Sequence, residues 1–517
     1  MRRLRSTGKI RRPTAEELSD LAELSFLRLT PQEALDLEEL SEGLLSTLDR
    51  LDDLPQPRWP IRYTDRDPGY RPTPEEDPYN IFIRKCRVTG APDGILAGKK
   101  IGLKDNIAVA GIPLTNGSRL AEGYVPDCDA TVVERLLDAG AEIVGKLNMD
   151  SFALSPSAET SEFGYARNPR NPDHSPGGSP GGSSGGSGAA VANGDLDIAL
   201  GVDEGGSGRI PAAWCGITSI KATHGLVPSF GLTYMDHTLD FICPMARTVQ
   251  EVAQTLEVIA GDDPRDPQWV RGPIQTEAYT EALTTDIHGL RIGLIKEGLA
   301  GRAVEPEVVD AFQKGIAQLS ILGADCSELS LPLFKNAWAI WTGIASHSIP
   351  ALVESDGEGY GHGGASNVGW VETFGRARRA RANDLPPFLK LILPVGNYLR
   401  REYNNRYYAL AQNLRLSFTQ QIEHALQEVD ILALPTTPMR APKLEAGLTL
   451  KDLVRRSAAA GQNTSAFNLS GHPALNLPCG LRDGLPVGLQ LVGRRWQESA
   501  LLRVAYAFEQ SVDWEQL

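Results

Sequence analysis

Of the 517 residues only six are cysteines, Cys86, Cys128, Cys215, Cys243, Cys326 and Cys479. None forms a CxxC pair or stands in a cluster with histidine, so neither a disulfide framework nor a zinc site is expected, and no metal or cofactor is called for. No run of 18 apolar residues occurs, which argues against a membrane-spanning helix. Positive charge is in deficit as well. The formal net charge is −14, and such a field repels nucleic acid and anionic membrane surfaces alike, so neither is expected as a partner. The basic start MRRLRSTGKIRR is the exception. It runs into the acidic, amphipathic PTAEELSDLAEL and not into an apolar core, so it reads as a disordered tip and not a signal peptide. A cytoplasmic location is the resulting expectation.

What is present is ordinary globular sequence, 41% hydrophobic and 22% charged, enough for a sizeable core. Near the N-terminus Thr14 with Glu17, and Thr30 with Pro31 and Glu33, write two capping boxes. Leucines then recur at helical spacing through ALDLEELSEGLLSTLDRL. Residues 1–60 are therefore expected to be a helical extension, and its apolar stripe is expected to mediate a homodimer. Proline-rich residues 61–94 read as an extended linker. From residue 95 to 517 strand-like runs (KKIGLKDNIAV, EIVGKLN, LDIALGVDEGG, VDILALPTTP) alternate with helical ones (DATVVERLLDAGA and 398–428). That alternation predicts one large α/β domain with a mostly buried sheet.

The stretch SPGGSPGGSSGGSGAAVANG, residues 175–194, carries the functional question. A flexible linker would be flanked by polar sequence, whereas this one runs into dense, small, apolar residues. A phosphate-binding GxxxxGK[ST] loop needs a lysine that is absent. Gly181-Gly182-Ser183-Ser184-Gly185 fits GxSxG, the strained turn of serine hydrolases, but it would need an acid and a histidine downstream, and His224, His237 and His472 stand in unremarkable loop-like contexts. A second cluster, VDEGGSGRIPA, places Ser207 just after a strand, 24 residues beyond Ser183. Lys104, in GLKDNIAVAGIPLTNGS, ends another apolar run where a polar turn begins.

These residues resemble the amidase signature family: KDNIAVAGIP its lysine motif, PGGSSGGSGAAVA its first serine motif and GVDEGGSGRIPAAWCG its second. The resemblance continues through DATVVERLLDAGAEIVGKLNMDSFA, RNPRNP, LPTTP, NLSGHPALNLPCG and GLPVGLQLVGRRW, covering about residues 95 to 510. The N-terminal extension looks like that of bacterial amidases acting after nitrile hydratase. The resemblance implies a mixed, twisted sheet of about ten strands with helices on both faces. It also implies a Ser-cisSer-Lys triad falling on Ser207, Ser183 and Lys104, with a cis peptide at Gly182–Ser183. The family's serine spacing selects Ser183 over Ser179.

On that reading Ser207 attacks an amide carbonyl, Ser183 relays its proton to a neutral Lys104, and the backbone N–H groups of Glu204, Gly205, Gly206 and Ser207 receive the oxyanion. Three positions depart from the family: Gly208 where a bulky aliphatic residue is usual, which suggests a roomier site floor, Ala222 for a proline, and Cys243 for a glycine. The leading expectation is hydrolysis of a small-molecule carboxamide to acid plus ammonia or amine. Behind it stand a carbamate or aryl-amide hydrolase with the same triad, and the glutaminase subunit of a tRNA-dependent amidotransferase. GKLNMDSFALSPSAETSEFG is close to the last of these, while residues 360–410 and the N-terminal extension do not fit its pattern. A Ser-His-Asp esterase and a non-catalytic scaffold are the remaining readings.

Overall fold

In a computed structural model the chain is described from residue 10 to 517, apart from 155–159, 178–182, 269–273, 301–303, 446, 450 and 453–458. Most of the basic tip lies outside the described residues. Two compact units are present, residues 1–60 and 61–517. In the first, helices Ala15–Leu24 and Pro31–Asp49 both begin with complete capping boxes, Thr14 with Glu17 and Thr30 with Glu33. Leu35, Leu40, Leu44 and Leu48 of the second helix are exposed.

The second unit is built on one sheet of twelve strands among the described residues. In chain order they are β1 (Arg66–Tyr70), β2 (Phe82–Thr89), β3 (Lys100–Lys104), β4 (Glu142–Leu147), β5 (Ile198–Asp203) and β6 (Thr218–Lys221). The others are β7 (Phe241–Ala246), β8 (Arg291–Ile295), β9 (Asp325–Leu329), β10 (Ile431–Pro435), β11 (Ala474–Arg482) and β12 (Leu485–Val492). Their order across the sheet is β1-β2-β4-β3-β5-β7-β6-β11-β12-β10-β8-β9. About ten strands were expected. The easily missed ones are edges: β1, reading Arg-Asp-Pro-Gly-Tyr, carries turn residues, and β9 has no buried residue. Residues 61–94, read as a linker, carry β1 and β2.

Side chains alternate across each strand, so the two faces of the sheet bury different residues. Ile101, Leu103, Ile198, Leu200, Ile431 and Ala433 belong to a core shared with helices Thr131–Asp138, Val249–Ile259, Pro306–Ile321 and Glu498–Ser511. Leu432 and Leu434, one residue out of phase, join Ile340, Ile344 and Ile349 of helix Ala337–Glu354. Ala199, likewise out of phase with Ile198 and Leu200, packs with Ala189, Ala190 and Ala212 of helices Gly185–Asn193 and Arg209–Cys215. Helices thus cover both faces, which is why the central strands read as continuous apolar runs.

Near the middle, β3 and β5 run parallel with Leu103 opposite Leu200. Parallel neighbours end on the same edge of a sheet, and in α/β folds that edge is where chemistry is placed. Lys104 closes β3, and the turn Glu204–Gly208 follows β5.

Candidate active site

Lys104 has no solvent exposure. Its Nζ donates to the Ser183 hydroxyl at 2.6 Å and to the Val202 carbonyl at 3.2 Å. Burial lowers its pKa to about 8, against the opposing pull of the Asp240, Asp150 and Asp203 carboxylates. Both of these hydrogen bonds run to neutral oxygens, so the ammonium can lose its proton near neutral pH.

Ser183 and Ser184 precede the helix Gly185–Asn193, and both are fully buried. Ser184 Oγ accepts from the Val202 N–H at 3.1 Å and lies 3.2 Å from the Val202 carbonyl, while Ser187 donates to the Leu200 carbonyl at 3.1 Å. The serines therefore tie this segment to β5. Gly186 is required by close approach, since a Cβ there would lie 2.5 Å from the Asn148 carbonyl oxygen. From Ser183 onward the stretch is packed backbone and not a linker. Gly181, Gly182, the Gly182–Ser183 peptide and Ser179 lie outside the described residues.

The turn carrying Ser207 is held from below. Asp203 accepts from the Gly208 and Arg209 N–H groups at 3.1 and 3.2 Å, and its other oxygen accepts from Arg209 Nη2 at 2.8 Å and Asn468 Nδ2 at 2.9 Å. Gly206 has φ +135°, and a Cβ there would lie 2.2 Å from Thr464 Oγ1, which donates to the Gly205 carbonyl at 2.6 Å. Only glycine fits such a conformation and approach. Among the described residues the N–H groups of Gly205, Gly206 and Ser207 donate to no protein acceptor. Lys104 and Ser183 are thus in direct contact, and Ser207 stands on the adjoining turn, without a hydrogen bond to Ser183 among the described residues. No histidine bonds to either serine there, as the GxSxG reading would need.

Several residues at this site were not singled out from the sequence. Asp105 and Lys146 form a fully buried ion pair at 3.2 Å, Lys146 donates to the Ile107 carbonyl at 2.6 Å, and Asp105 accepts from the Thr115 N–H at 2.8 Å. Together they fix the chain leaving Lys104. In the sequence they stand in the strand-like runs GLKDNIAV and EIVGKLN, each with a second charged residue and an asparagine, and nothing local marks them as a pair. Asp240, whose carboxylate accepts from the Met235 and Asp236 N–H groups at 2.7 and 3.1 Å, is pushed up to about 7 by burial. Glu204, expected to act through its backbone, accepts from the Trp341 indole N–H with its carbonyl at 3.3 Å, while burial, reinforced by the Asp240 and Asp236 charges, pushes the pKa of its carboxyl well up. Among the described residues no group of three or more His, Cys, Asp or Glu side chains is placed to hold a metal ion, and no helix is long and apolar enough to cross a membrane.

Residues 83–502 match the family model described as Amidase. The chain is 42% identical over 433 residues to the A subunit of glutamyl-tRNA(Gln) amidotransferase from Halobacterium salinarum, covering 83% of this chain and 99% of that one. Its structure is similar to that of the A subunit of glutamyl-tRNA(Gln) amidotransferase from Thermotoga maritima, with a TM-score of 0.68, 29% identity and coverage of 96% of this chain and 94% of the other. It is also similar to native peptide amidase from Stenotrophomonas maltophilia, with a TM-score of 0.66, 30% identity and coverage of 81% and 83%. The homodimer acting on a small-molecule amide, with no nucleic acid involved, is corrected by these relatives, which are named as one subunit of an enzyme of glutamyl-tRNA. The physical reason is that an exposed leucine stripe says that a surface suits covering and not what covers it. Net charge was equally uninformative, because it averages over a surface whose local patches decide contacts. With the family model spanning most of the chain and the relatives nearly their full length, the chain belongs to the Amidase family and is an enzyme acting on amide C–N bonds.

Proposed function

We propose that this chain is the amide-cleaving subunit of a tRNA-dependent amidotransferase, in which it takes ammonia from glutamine by way of a Ser207 acyl-enzyme. The 42% identity to an amidotransferase A subunit over nearly that protein's whole length favours this reading over a free-standing hydrolase of simple carboxamides. A cytoplasmic location belongs to the same reading.

The observation that carries the chemistry is the 2.6 Å hydrogen bond from Lys104 Nζ to Ser183 Oγ inside a fully buried site. With Lys104 neutral, the bond reverses: Ser183 gives its proton to Nζ and takes one from Ser207. Ser207 Oγ then bonds to the amide carbon, and the carbonyl oxygen takes up the negative charge. The N–H groups of Gly205, Gly206 and Ser207, without acceptors among the described residues, are suited to that oxyanion, with Glu204 completing the turn. On collapse the C–N bond breaks and the proton on Lys104 returns through Ser183 to the nitrogen, which leaves as ammonia. Water repeats the steps on the ester, giving the acid and restoring Ser207.

Ammonia release from L-glutamine, set beside simple carboxamides, carbamates and aryl amides, tests the reading, together with capture of partner subunits by tagged full-length chain from its native cell. Glutamine turnover with co-purifying subunits is the expected result. Turnover of simple amides with none of glutamine, by a chain that purifies alone, would restore the free-standing hydrolase.

A further inference from the structure

Four consecutive carbonyls lead from the end of β5 into the turn that carries Ser207, and each is held by its own donor. The Asp203 carbonyl accepts from Asn468 Nδ2 at 2.9 Å, the Glu204 carbonyl from the Trp341 indole N–H at 3.3 Å, the Gly205 carbonyl from Thr464 Oγ1 at 2.6 Å and the Gly206 carbonyl from the Ile210 N–H at 2.8 Å. A peptide unit is planar and trans, so the N–H of each following residue points away from the donor that holds the carbonyl. The N–H groups of Gly205, Gly206 and Ser207 therefore point away from Trp341, Thr464 and Ile210 in turn.

That direction leaves them without an acceptor among the described residues, although Gly205, Gly206 and Ser207 are all buried. Buried backbone N–H groups are nearly always paired. Three unpaired in succession, on the turn that presents the nucleophile, suit a ligand atom bearing negative charge. The side chains that direct the first two are themselves fixed. Trp341, on helix Ala337–Glu354, is 5% exposed and stacks on Trp338 with ring centroids 4.7 Å apart. Thr464 has no exposure, and its carbonyl accepts from Arg209 Nη1 at 3.1 Å, the same Arg209 whose Nη2 donates to Asp203 at the foot of the turn.

We propose that Trp341 and Thr464 are positioning residues for the oxyanion: by holding the Glu204 and Gly205 carbonyls they aim the Gly205 and Gly206 N–H groups at the carbonyl oxygen of the bound amide as it becomes negative. Neither need touch the substrate. The proposal rests on the Ser207 acyl-enzyme and is independent of which amide is cleaved. It accounts for the close approach at Gly206, where a Cβ would lie 2.2 Å from Thr464 Oγ1, because the hydroxyl comes that near in reaching the Gly205 carbonyl. Rotation of either peptide carries its N–H off the oxyanion. A hydrogen bond that strengthens only as charge develops is then lost from the transition state and not from the bound substrate, so the loss falls on kcat and spares KM.

Thr464→Val removes the donor, Thr464→Ser keeps it, and Trp341→Phe keeps a ring without its N–H. Turnover is measured on whichever of L-glutamine and the simple carboxamides the parent cleaves fastest, per Ser207 titrated with a serine-directed acylating reagent, so that unfolded protein is not counted. Thr464→Val should lower kcat by about 10- to 100-fold, less than the loss of an oxyanion donor itself, with KM within about twofold of the parent. Trp341→Phe, which gives up a longer bond, should lower it by about 3- to 10-fold. Thr464→Ser should restore most of the turnover, and the pH dependence set by Lys104 should keep its position in all three. A folded Thr464→Val enzyme with the parent's kcat, a loss carried by KM, or Thr464→Ser as slow as Thr464→Val would overturn the proposal; where Thr464→Val does not fold, an unimpaired Trp341→Phe does so. An active Ser207→Ala enzyme would overturn the acyl-enzyme and this inference together, whereas an inactive one beside an unimpaired Thr464→Val overturns this inference alone.

Discussion

Gly208 and Cys243 occupy one space: a Cβ built on Gly208 would lie 3.0 Å from Cys243 Cβ and 3.1 Å from its Sγ. The two departures from the family pattern thus compensate each other, and the roomier site floor suggested by Gly208 alone is not found. The backbone at Gly208, φ −93° and ψ −48°, is open to any residue, so only this contact opposes a side chain there. Gly208→Ala is expected to destabilise by about 1–3 kcal/mol through overpacking. In the double variant with Cys243→Gly the loss should be smaller than the sum of the single ones, with a coupling of about 0.5–3 kcal/mol in a denaturant-unfolding cycle. Additive effects would show that the two positions do not compete.

The proposed triad is separable from a GxSxG hydrolase by where an acyl group attaches. A serine-directed acylating reagent followed by mass spectrometry should mark Ser207, and Ser207→Ala should abolish labelling. Lys104→Ala should lower turnover by about 10²–10⁴-fold, the usual weight of a general acid-base. Label on Ser183 with an active Lys104→Ala enzyme would reverse the assignment.

The sequence made the motif-bearing strands and turns legible because each needs residues of one kind: small ones where helix Gly185–Asn193 meets β5, and glycine at Gly206 where φ is positive. The Lys104–Ser183 contact was legible only through resemblance, since 79 residues separate the two and no local pattern reports such a pairing. Asp105, Lys146 and Asp240 were not legible. Their meaning depends on burial and on partners distant in sequence, Asp105 and Lys146 being 41 residues apart, and charged residues at the end of an apolar run fit a surface edge as well as a buried pair. β1 was lost for the opposite reason, because local turn residues are overridden by pairing with β2.

Activity should follow the protonation of Lys104, whose pKa burial lowers to about 8. Only the neutral amine accepts the proton from Ser183, so kcat/KM should rise with pH through this region and fall about tenfold per unit on the acid side. Lys104→Arg, which stays protonated, should be inactive across the range. A pH-independent kcat/KM between about 6 and 9 would contradict Lys104 as the base.

Lys221 supplies a second alkaline dependence, this one in stability. It is fully buried, donates to the His472 and Ala222 carbonyls at 2.7 and 3.1 Å, and lies 3.9 Å from the centre of the Phe241 ring. Burial, the dominant influence, lowers its pKa to about 7, against about 10.4 in an unfolded chain. Between those values the unfolded state binds one proton more than the native state, so Lys221 makes stability rise with pH there, by at most about 1.4 kcal/mol per unit. Below about pH 7 both states hold the proton and its contribution is flat. Lys221→Met keeps the length of the side chain but cannot titrate. Comparing denaturant midpoints of the two proteins from about pH 6 to 10, the difference in stability should shift in favour of the parent as pH rises above about 7. Parallel curves over that range would mean that Lys221 keeps its ordinary pKa in the folded protein.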